Sequence, residues 1–286
     1  MVITALHAEE LVPVSDEEAP RVVLVHGSMD RLRSFARLGA RLPGCHVIVY
    51  DRRGYGRSRR AEPLASSVLD HADDLVELLE GRHALAFGHS YGGVVVLAAA
   101  QRRSDLITSA IVYEAPMPWF EWWHDAPSPI FRAGADGVDP GDAALGFVEK
   151  MVGSERFARM PERFRAELRK DGPAFLAEMR ALGSDPPPFD PARILPRVLV
   201  VRGGDSAQRH VRGADELVTA LPDSELVVVE GAGHGGHISH PDVLADLVHA
   251  ELAIARSAER RPPARALMRA SGRISARDGH QGGQGQ

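Results

Sequence analysis

Six short runs of nearly continuous apolar residues decide what this chain can fold into: "RVVLVHG" (21–27), "HVIVYD" (46–51), "HALAFGHS" (83–90), "SAIVYEA" (109–115), "RVLVVRGGD" (197–205) and "ELVVVEGAGH" (225–234). They are rich in valine and lack the polar–apolar alternation of a half-exposed strand. Strands buried on both faces of a parallel sheet read this way. Segments of helical length separate most of them. "SSVLDHADDLVELLEG" sets Val68, Leu69, Leu75, Val76, Leu78 and Leu79 mostly on one side and stops at Gly81. "HPDVLADLVHAELAIA" aligns Leu244, Leu247, Val248 and Leu252 behind Pro241, a residue suited to a first helical turn. This alternation predicts an α/β fold with a doubly wound, mostly parallel sheet.

One interval breaks the rhythm. About 80 residues separate two late strands between Pro116 and Pro196, far more than a crossover needs. The interval holds "PMPWFEWWHDAPSP", amphipathic pieces such as "PERFRAELRK" and "GPAFLAEMRAL", and then "DPPPFDPARILP". A helical cap inserted between the two strands is expected. The chain is then expected to divide into a core of residues 1–116 and 192–256, a cap of 117–191, and a disordered tail of 257–286. Seven arginines against Glu259 and Asp278 make the stretch 256–286 basic. No aromatic residues interleave with that charge, so a solvated terminus is expected there, not a nucleic-acid contact.

The remaining bulk properties exclude more than they select. The net charge of −5 favours no class of partner, and the single cysteine, Cys45, leaves no intrachain disulfide framework. No apolar run approaches the ~20 residues of a spanning helix, and the first twenty residues carry no basic region followed by an apolar one. The expectation is a soluble cytoplasmic protein, monomer or homodimer, acting on a small-molecule substrate, without nucleic-acid or membrane partners.

The chemistry concentrates at the ends of the strands. Gly88-His89-Ser90-Tyr91-Gly92 fits G-x-S-x-G directly after a strand and before an apolar helix. At that junction the glycines relieve crowding, and the strained serine projects its hydroxyl above the sheet edge. A serine needs a base to take its proton and an acid to orient that base. His234 lies just beyond the last strand and Asp205 just beyond the one before it, in the chain order Ser90, Asp205, His234. Glu114, at the end of "IVYEAP", is the rival acid, reaching the histidine from the neighbouring strand; otherwise it bonds rim backbone or lines the pocket. His237 and His240 are rival bases, and His234 sits nearest the strand end. The oxyanion donors are expected to be the backbone amides of Tyr91 and of Ser28, with Met29 next after Ser28. Met29, Glu114, Trp119, Phe120, Trp122, Trp123 and His237 are candidates for the pocket wall, the aromatic ones equally able to pack the cap onto the core. "GAGHGG" (231–236) lacks the following helix, strand and acid of a dinucleotide fold. The spacing of His234, His237 and His240 has no second ligand cluster behind it, so no metal and no cofactor are expected.

Taken together, "LVHGS", "YDRRGYGRS", "AFGHSYGG", "VYEAP", "RGGDS" and "GAGHGGHISHPD" resemble the α/β-hydrolase superfamily, in its small cap-bearing serine hydrolase branch, over roughly Val22 to Ala255. The resemblance implies Ser90 as nucleophile, Asp205 as acid, His234 as base and Ser28 and Tyr91 as oxyanion amides. It makes the "DRRGYGRS" loop a structural neighbour of the site. A serine in place of a nucleophilic aspartate argues against epoxide hydrolase or dehalogenase chemistry. The implied activity is cofactor-independent cleavage of an ester, lactone or thioester of a small apolar substrate through an acyl-enzyme. Perhydrolase or haloperoxidase-like activity on the same triad, and a non-catalytic ligand-binding protein, are the alternatives.

Overall fold

The computed structural model describes residues 6–11, 14–124, 137–184 and 186–259. Seven strands form one sheet: β1 (Ala8–Glu10), β2 (Arg21–Val25), β3 (His46–Tyr50), β4 (Ala84–His89), β5 (Ile107–Tyr113), β6 (Arg197–Gly203) and β7 (Ser224–Val229). Their order across the sheet is β1-β3-β2-β4-β5-β6-β7. Every neighbouring pair is parallel except β1 and β3. The six apolar runs account for β2 to β7. The edge strand β1 carries only "AEE", so no apolar pattern announces it; backbone pairing sets Glu9 opposite Val49, and the Glu10 carboxylate meets His46 of β3 at 2.6 Å.

Alternate residues of each strand enter opposite layers. Val23 and Val25 of β2 face one, Val22 and Leu24 the other. The second layer is covered by α1 (Ala36–Gly39) near the start of the chain. The first is covered by α2 (Val68–Leu78) and α3 (Tyr91–Arg102). Ser67 starts α2 with a capping box: its hydroxyl accepts the Asp70 amide while the Asp70 carboxylate accepts the Ser67 amide. Helix α3 is buried on all sides from Val94 to Ala100, as its uniformly apolar sequence requires.

Between β5 and β6 the described residues form α4 (Pro140–Val152), α5 (Ser154–Ala158), α6 (Glu162–Arg169) and α7 (Gly172–Ser184). Asp139 caps α4, with Pro140 in the first turn. Phe147 of α4 packs on Phe175 of α7, with ring centroids 4.9 Å apart. The insertion is seated on the sheet by Asp171, 1% exposed in its side chain, which takes Arg31 at 2.6 Å and Arg59 at 2.8 Å. The chain ends with α8 (Gln208–Ala220), α9 (Gly236–Ser239) and α10 (Pro241–Glu259). Pro241 opens α10, and Leu244, Val248 and Leu252 are buried from it. That helix runs three residues, 257–259, into the segment expected to be a disordered tail; the rest of that segment, 260–286, lies outside the described residues.

The "DRRGYGRS" loop is a structural knot. Asp51 accepts the amides of Leu32 at 3.0 Å and Arg57 at 2.8 Å, which ties two loops together. Arg53 makes a buried two-bond pair with Asp74 of α2. Arg52 is fully buried, and its amide donates to Nε2 of His26 at 2.9 Å. Nδ1 of His26 donates to the Gly27 carbonyl at 2.8 Å. Both ring nitrogens are therefore used by a neutral imidazole, and a second proton would have no acceptor.

Burial, then the nearby Arg52, holds His26 near pH 3. Burial also pushes His71 and His89 down. His210 falls to about 3, through burial and then His234. The unfolded chain binds protons on these residues below pH 6.5, whereas in the folded chain His26 and His210 do not until about pH 3 and His71 and His89 are likewise shifted down. Stability should therefore fall as pH drops through that window, by up to about 1.4 kcal/mol per pH unit for each histidine. Denaturant titrations at pH 7.5, 6 and 5 will measure it. A flat response between pH 7.5 and 5 would mean that the histidines are already charged in the fold.

Candidate active site

The carboxyl ends of β4, β5, β6 and β7 converge on one rim. Ser90 follows β4 directly and holds φ 53° and ψ −124°, a conformation that L-residues avoid. Its amide donates to the Tyr113 carbonyl at 2.8 Å, which fixes the turn against β5. The turn is possible because the flanking residues have no side chains. A Cβ on Gly88 would collide with the Gly92 carbonyl, and one on Gly92 with the Val25 carbonyl of β2. Gly27 is equally constrained, since a Cβ there would sit 3.0 Å from Ser90 Cβ. The loop after β2 thus passes directly beside Ser90, and Ser28 lines the same cavity as the serine. Tyr91 begins α3, whose positive dipole end lies under the same spot.

His234 reaches this point from the loop after β7. Its carbonyl accepts His89 Nε2 at 2.8 Å, and the preceding carbonyl, of Gly233, accepts the Tyr113 hydroxyl at 2.7 Å. These bonds draw the loop across β6 until the imidazole stands over the end of β5. There Nδ1 donates to Oε2 of Glu114 at 2.7 Å. Glu114 is 3% exposed and sits at φ 51°. Its other oxygen accepts the Gly203 amide at 2.8 Å and the Ser206 hydroxyl. Burial would raise its pKa, but the His234 hydrogen bond, the charges of His210 and His234, and the Ser206 hydroxyl outweigh it and hold the group at about 2. The carboxylate is ionised, and the His234 tautomer leaves Nε2 free of a proton.

The expected Asp205–His234 pair is not formed. Asp205 is exposed, and its side chain makes no hydrogen bond among the described residues; its amide donates to the Ala232 carbonyl. The reason is lateral distance across the sheet. In this structure the imidazole takes its carboxylate from the end of β5, the strand adjoining β4, whereas Asp205 follows β6, one strand further out. The longer glutamate side chain closes the remaining gap.

A cavity of about 110 Å³ opens above Ser90, Tyr91, Ser28, His234 and His210. Its apolar walls come from Pro116 and Trp123 and from the insertion residues Phe147, Met179 and Leu182, with the exposed Lys150, Met151 and Arg209 beside them. Among the expected wall residues only Trp123 takes part. Trp119 and Phe120 line a separate cavity with Phe189 and Leu217, and Phe120 stacks on Trp122 at 5.4 Å. Trp122 in turn carries the Arg212 guanidinium 4.4 Å above its ring. These aromatic residues join the insertion to the core. Met29 is buried in the core at φ 57°. His237 is buried against His89 and Phe35, 3.3 Å from the Asp30 carboxylate.

His210 is the site residue that sequence reasoning missed. It stands in the first turn of α8, stacked on His234 at 4.6 Å and 23°, with its Nδ1 4.0 Å from Glu114. Trp123 meets it edge-on at 5.4 Å. Its only sequence signal is position, a few residues beyond a strand end. Two groups have the composition of metal ligands within 4.8 Å: Glu114 with His210 and His234, and Asp30 with His89 and His237. In each, the carboxylate already faces an imidazole nitrogen of the same group.

Comparison with known proteins agrees with this architecture. The sequence profile described as the "Alpha/beta hydrolase family" matches residues 22–247. The chain is 27% identical over 242 residues to the esterase YbfF of Escherichia coli, covering 78% of this chain and 89% of that protein. Among solved structures it resembles the enol-lactonase of Burkholderia xenovorans, with a TM-score of 0.69 and 20% identity over 88% of this chain and all of that one. It also resembles a thermophilic esterase of Thermogutta terrifontis, with a TM-score of 0.67 and 20% identity over 87% of this chain and 93% of that one. The mostly parallel seven-stranded sheet, the serine turn after β4 and the profile match across most of its length make this chain an enzyme of the α/β-hydrolase family.

Proposed function

We propose that the protein is a cofactor-independent serine hydrolase of small ester-type substrates, with Ser90 as nucleophile, His234 as base and Glu114 as the acid that orients it. The observation that carries this reading is the 2.7 Å bond from His234 Nδ1 to a buried, ionised Glu114 beside a serine held in a strained turn. In the first step, Nε2 of His234 takes the proton of Ser90 as Oγ attacks the substrate carbonyl carbon. The amides of Ser28 and Tyr91 stabilise the oxyanion. The tetrahedral species collapses, the alcohol or thiol leaves with the proton from His234, and an acyl-Ser90 ester remains. His234 then deprotonates a water that attacks this ester, and the acid product departs as Ser90 regains its proton. Glu114 stays ionised throughout and compensates the imidazolium formed in each half-reaction.

The mostly apolar wall formed by Pro116, Trp123, Phe147, Met179 and Leu182 favours a small apolar acyl or alcohol group. The esterase and enol-lactonase relatives give ester and lactone panels the first priority. A small-molecule substrate remains the only partner this site calls for.

Labelling with a fluorophosphonate and mapping of the adduct test the nucleophile. Ser90 should carry the adduct, and both Ser90→Ala and His234→Ala should abolish it; an adduct elsewhere would overturn the site. Glu114→Gln should lower kcat on a 4-nitrophenyl ester by about 10²- to 10⁴-fold, while Asp205→Asn stays within roughly twofold of wild type, as exposed positions without partners do. The reverse pattern would return the acid role to Asp205.

The walls generate a separate expectation. Trp123→Ala should enlarge the acyl pocket and shift the preference in kcat/KM from acetyl toward hexanoyl esters by about 10-fold, the scale of one or two methylene contacts. Trp119→Ala, in the other cavity, should leave the ratio unchanged.

A further inference from the structure

One buried ion pair connects the insertion to the loop that carries the Ser28 amide. Glu178, on α7, has a side chain 2% exposed, and Arg52 of the core has one 0% exposed. Both carboxylate oxygens of Glu178 are engaged. Oε1 takes Arg52 Nη1 and lies 3.6 Å from His71 Nε2. Oε2 accepts the Ser28 hydroxyl at 2.6 Å and the Tyr55 hydroxyl at 2.7 Å. Arg52 extends the contact to the backbone. Its Nε donates to the His26 carbonyl at 2.9 Å and its Nη2 to the Gly27 carbonyl at 3.1 Å. Its guanidinium lies 4.7 Å from the centre of the Tyr91 ring.

Stability alone is a poor reason for such an arrangement. Two charges withdrawn from water recover their desolvation cost only with complete hydrogen bonding, and an apolar pair of the same volume is often as stable or more so. What the pair does uniquely is geometric. The carboxylate and guanidinium together hold three consecutive residues, 26 to 28, and rest against Tyr91, whose amide is the other oxyanion donor. Immediately after Ser28 the chain turns through Met29 at φ 57°, a conformation that persists only where its surroundings over-determine it.

We propose that Glu178 is a positioning residue: the insertion supplies the carboxylate that holds the Ser28 amide at the oxyanion position, so the loop is competent only when α7 is seated. This rests on the hydrolase reading above. Glu178 never touches substrate; it acts through Ser28 and through Arg52. The ester panel and the backbone exchange of the loop therefore report on it in different ways.

Three variants decide it. Glu178→Gln removes an acceptor and the charge; the pair Arg52→Met with Glu178→Met removes both charges and keeps the volume filled, so that it folds even if the single variant does not. Arg59→Gln is the control, because Arg59 ties Asp171 and Glu167 of the insertion to the core without touching residues 26–29. On a 4-nitrophenyl ester the first two should lose about 10- to 100-fold in kcat, less than the 10²–10³ for deleting an oxyanion donor outright. KM should move by less than about threefold, since ground-state binding is untouched. Amide hydrogen exchange of peptide 26–31 should accelerate in both, and Arg59→Gln should match wild type in both measurements. Wild-type kcat in the double-methionine protein, or an equal loss in Arg59→Gln, overturns the proposal. If the wild type hydrolyses no ester, the hydrolase reading fails on its own. Exchange then still decides the coupling: faster in the Glu178 variants supports it, unchanged removes it.

Discussion

The site depends first on how closely three backbones approach at Ser90. The start of α3, the end of β2 and the turn itself meet where a Cβ on Gly88 or Gly92 would overlap a carbonyl, and where one on Gly27 would press on the serine. This closeness sets Ser90 at the rim of the sheet, where Ser28 and Tyr91 line the same cavity. The positive φ of Ser90 is the local cost. The fold bears it because β4 lies near the middle of the sheet, between β2 and β5, with α3 buried behind it. A strained turn at a sheet edge would have fewer neighbours to hold it.

The acid then follows from topology. Ser90 follows β4, the His234 imidazole hangs over the neighbouring β5, and its Nδ1 meets the carboxylate at the end of that strand. The field there favours the charged form despite burial, because Glu114 receives an imidazole, a hydroxyl and a backbone amide. His210 adds a second ring against His234, held neutral by its own burial. A neutral stacking partner confines the His234 ring without competing for the Glu114 proton acceptor. Charge is thus concentrated on one carboxylate and withheld from the rings around it.

How much of this could be read from the sequence follows from the range of each interaction. The strands β2 to β7, the serine turn and His234 are written locally, in unbroken apolar runs and in glycines flanking polar residues. The edge strand β1 is not, because an alanine and two glutamates leave no apolar side-chain pattern. The choice between Glu114 and Asp205 depends on which strand lies beside β4, and strand order is not a local property. Chain order suits both acids; position across the sheet suits one. His210 and the insertion wall are harder still, since Phe147, Met179 and Leu182 read as the apolar face of any helix. The "PMPWFEWW" stretch drew attention by composition, yet three of its four aromatic residues pack away from the cavity over the serine.

Two sets of ion pairs attach the insertion to the core, and they differ in kind. Asp171 is buried, but its partners Arg31 and Arg59 are each about a quarter exposed, so water and salt reach this seam. Glu178 with Arg52 is dry, and each partner is the other's main compensation for leaving water. Movement of α7 away from the sheet would uncover two charges and release three residues beside the nucleophile together. The buried pair therefore makes the seated state of the insertion a discrete one, with few partly opened arrangements of comparable energy between it and separation. Among the described residues, the cavity's exposed side is the one lined by Lys150, Met151 and Arg209, away from the buried contact of α7 with residues 26–28.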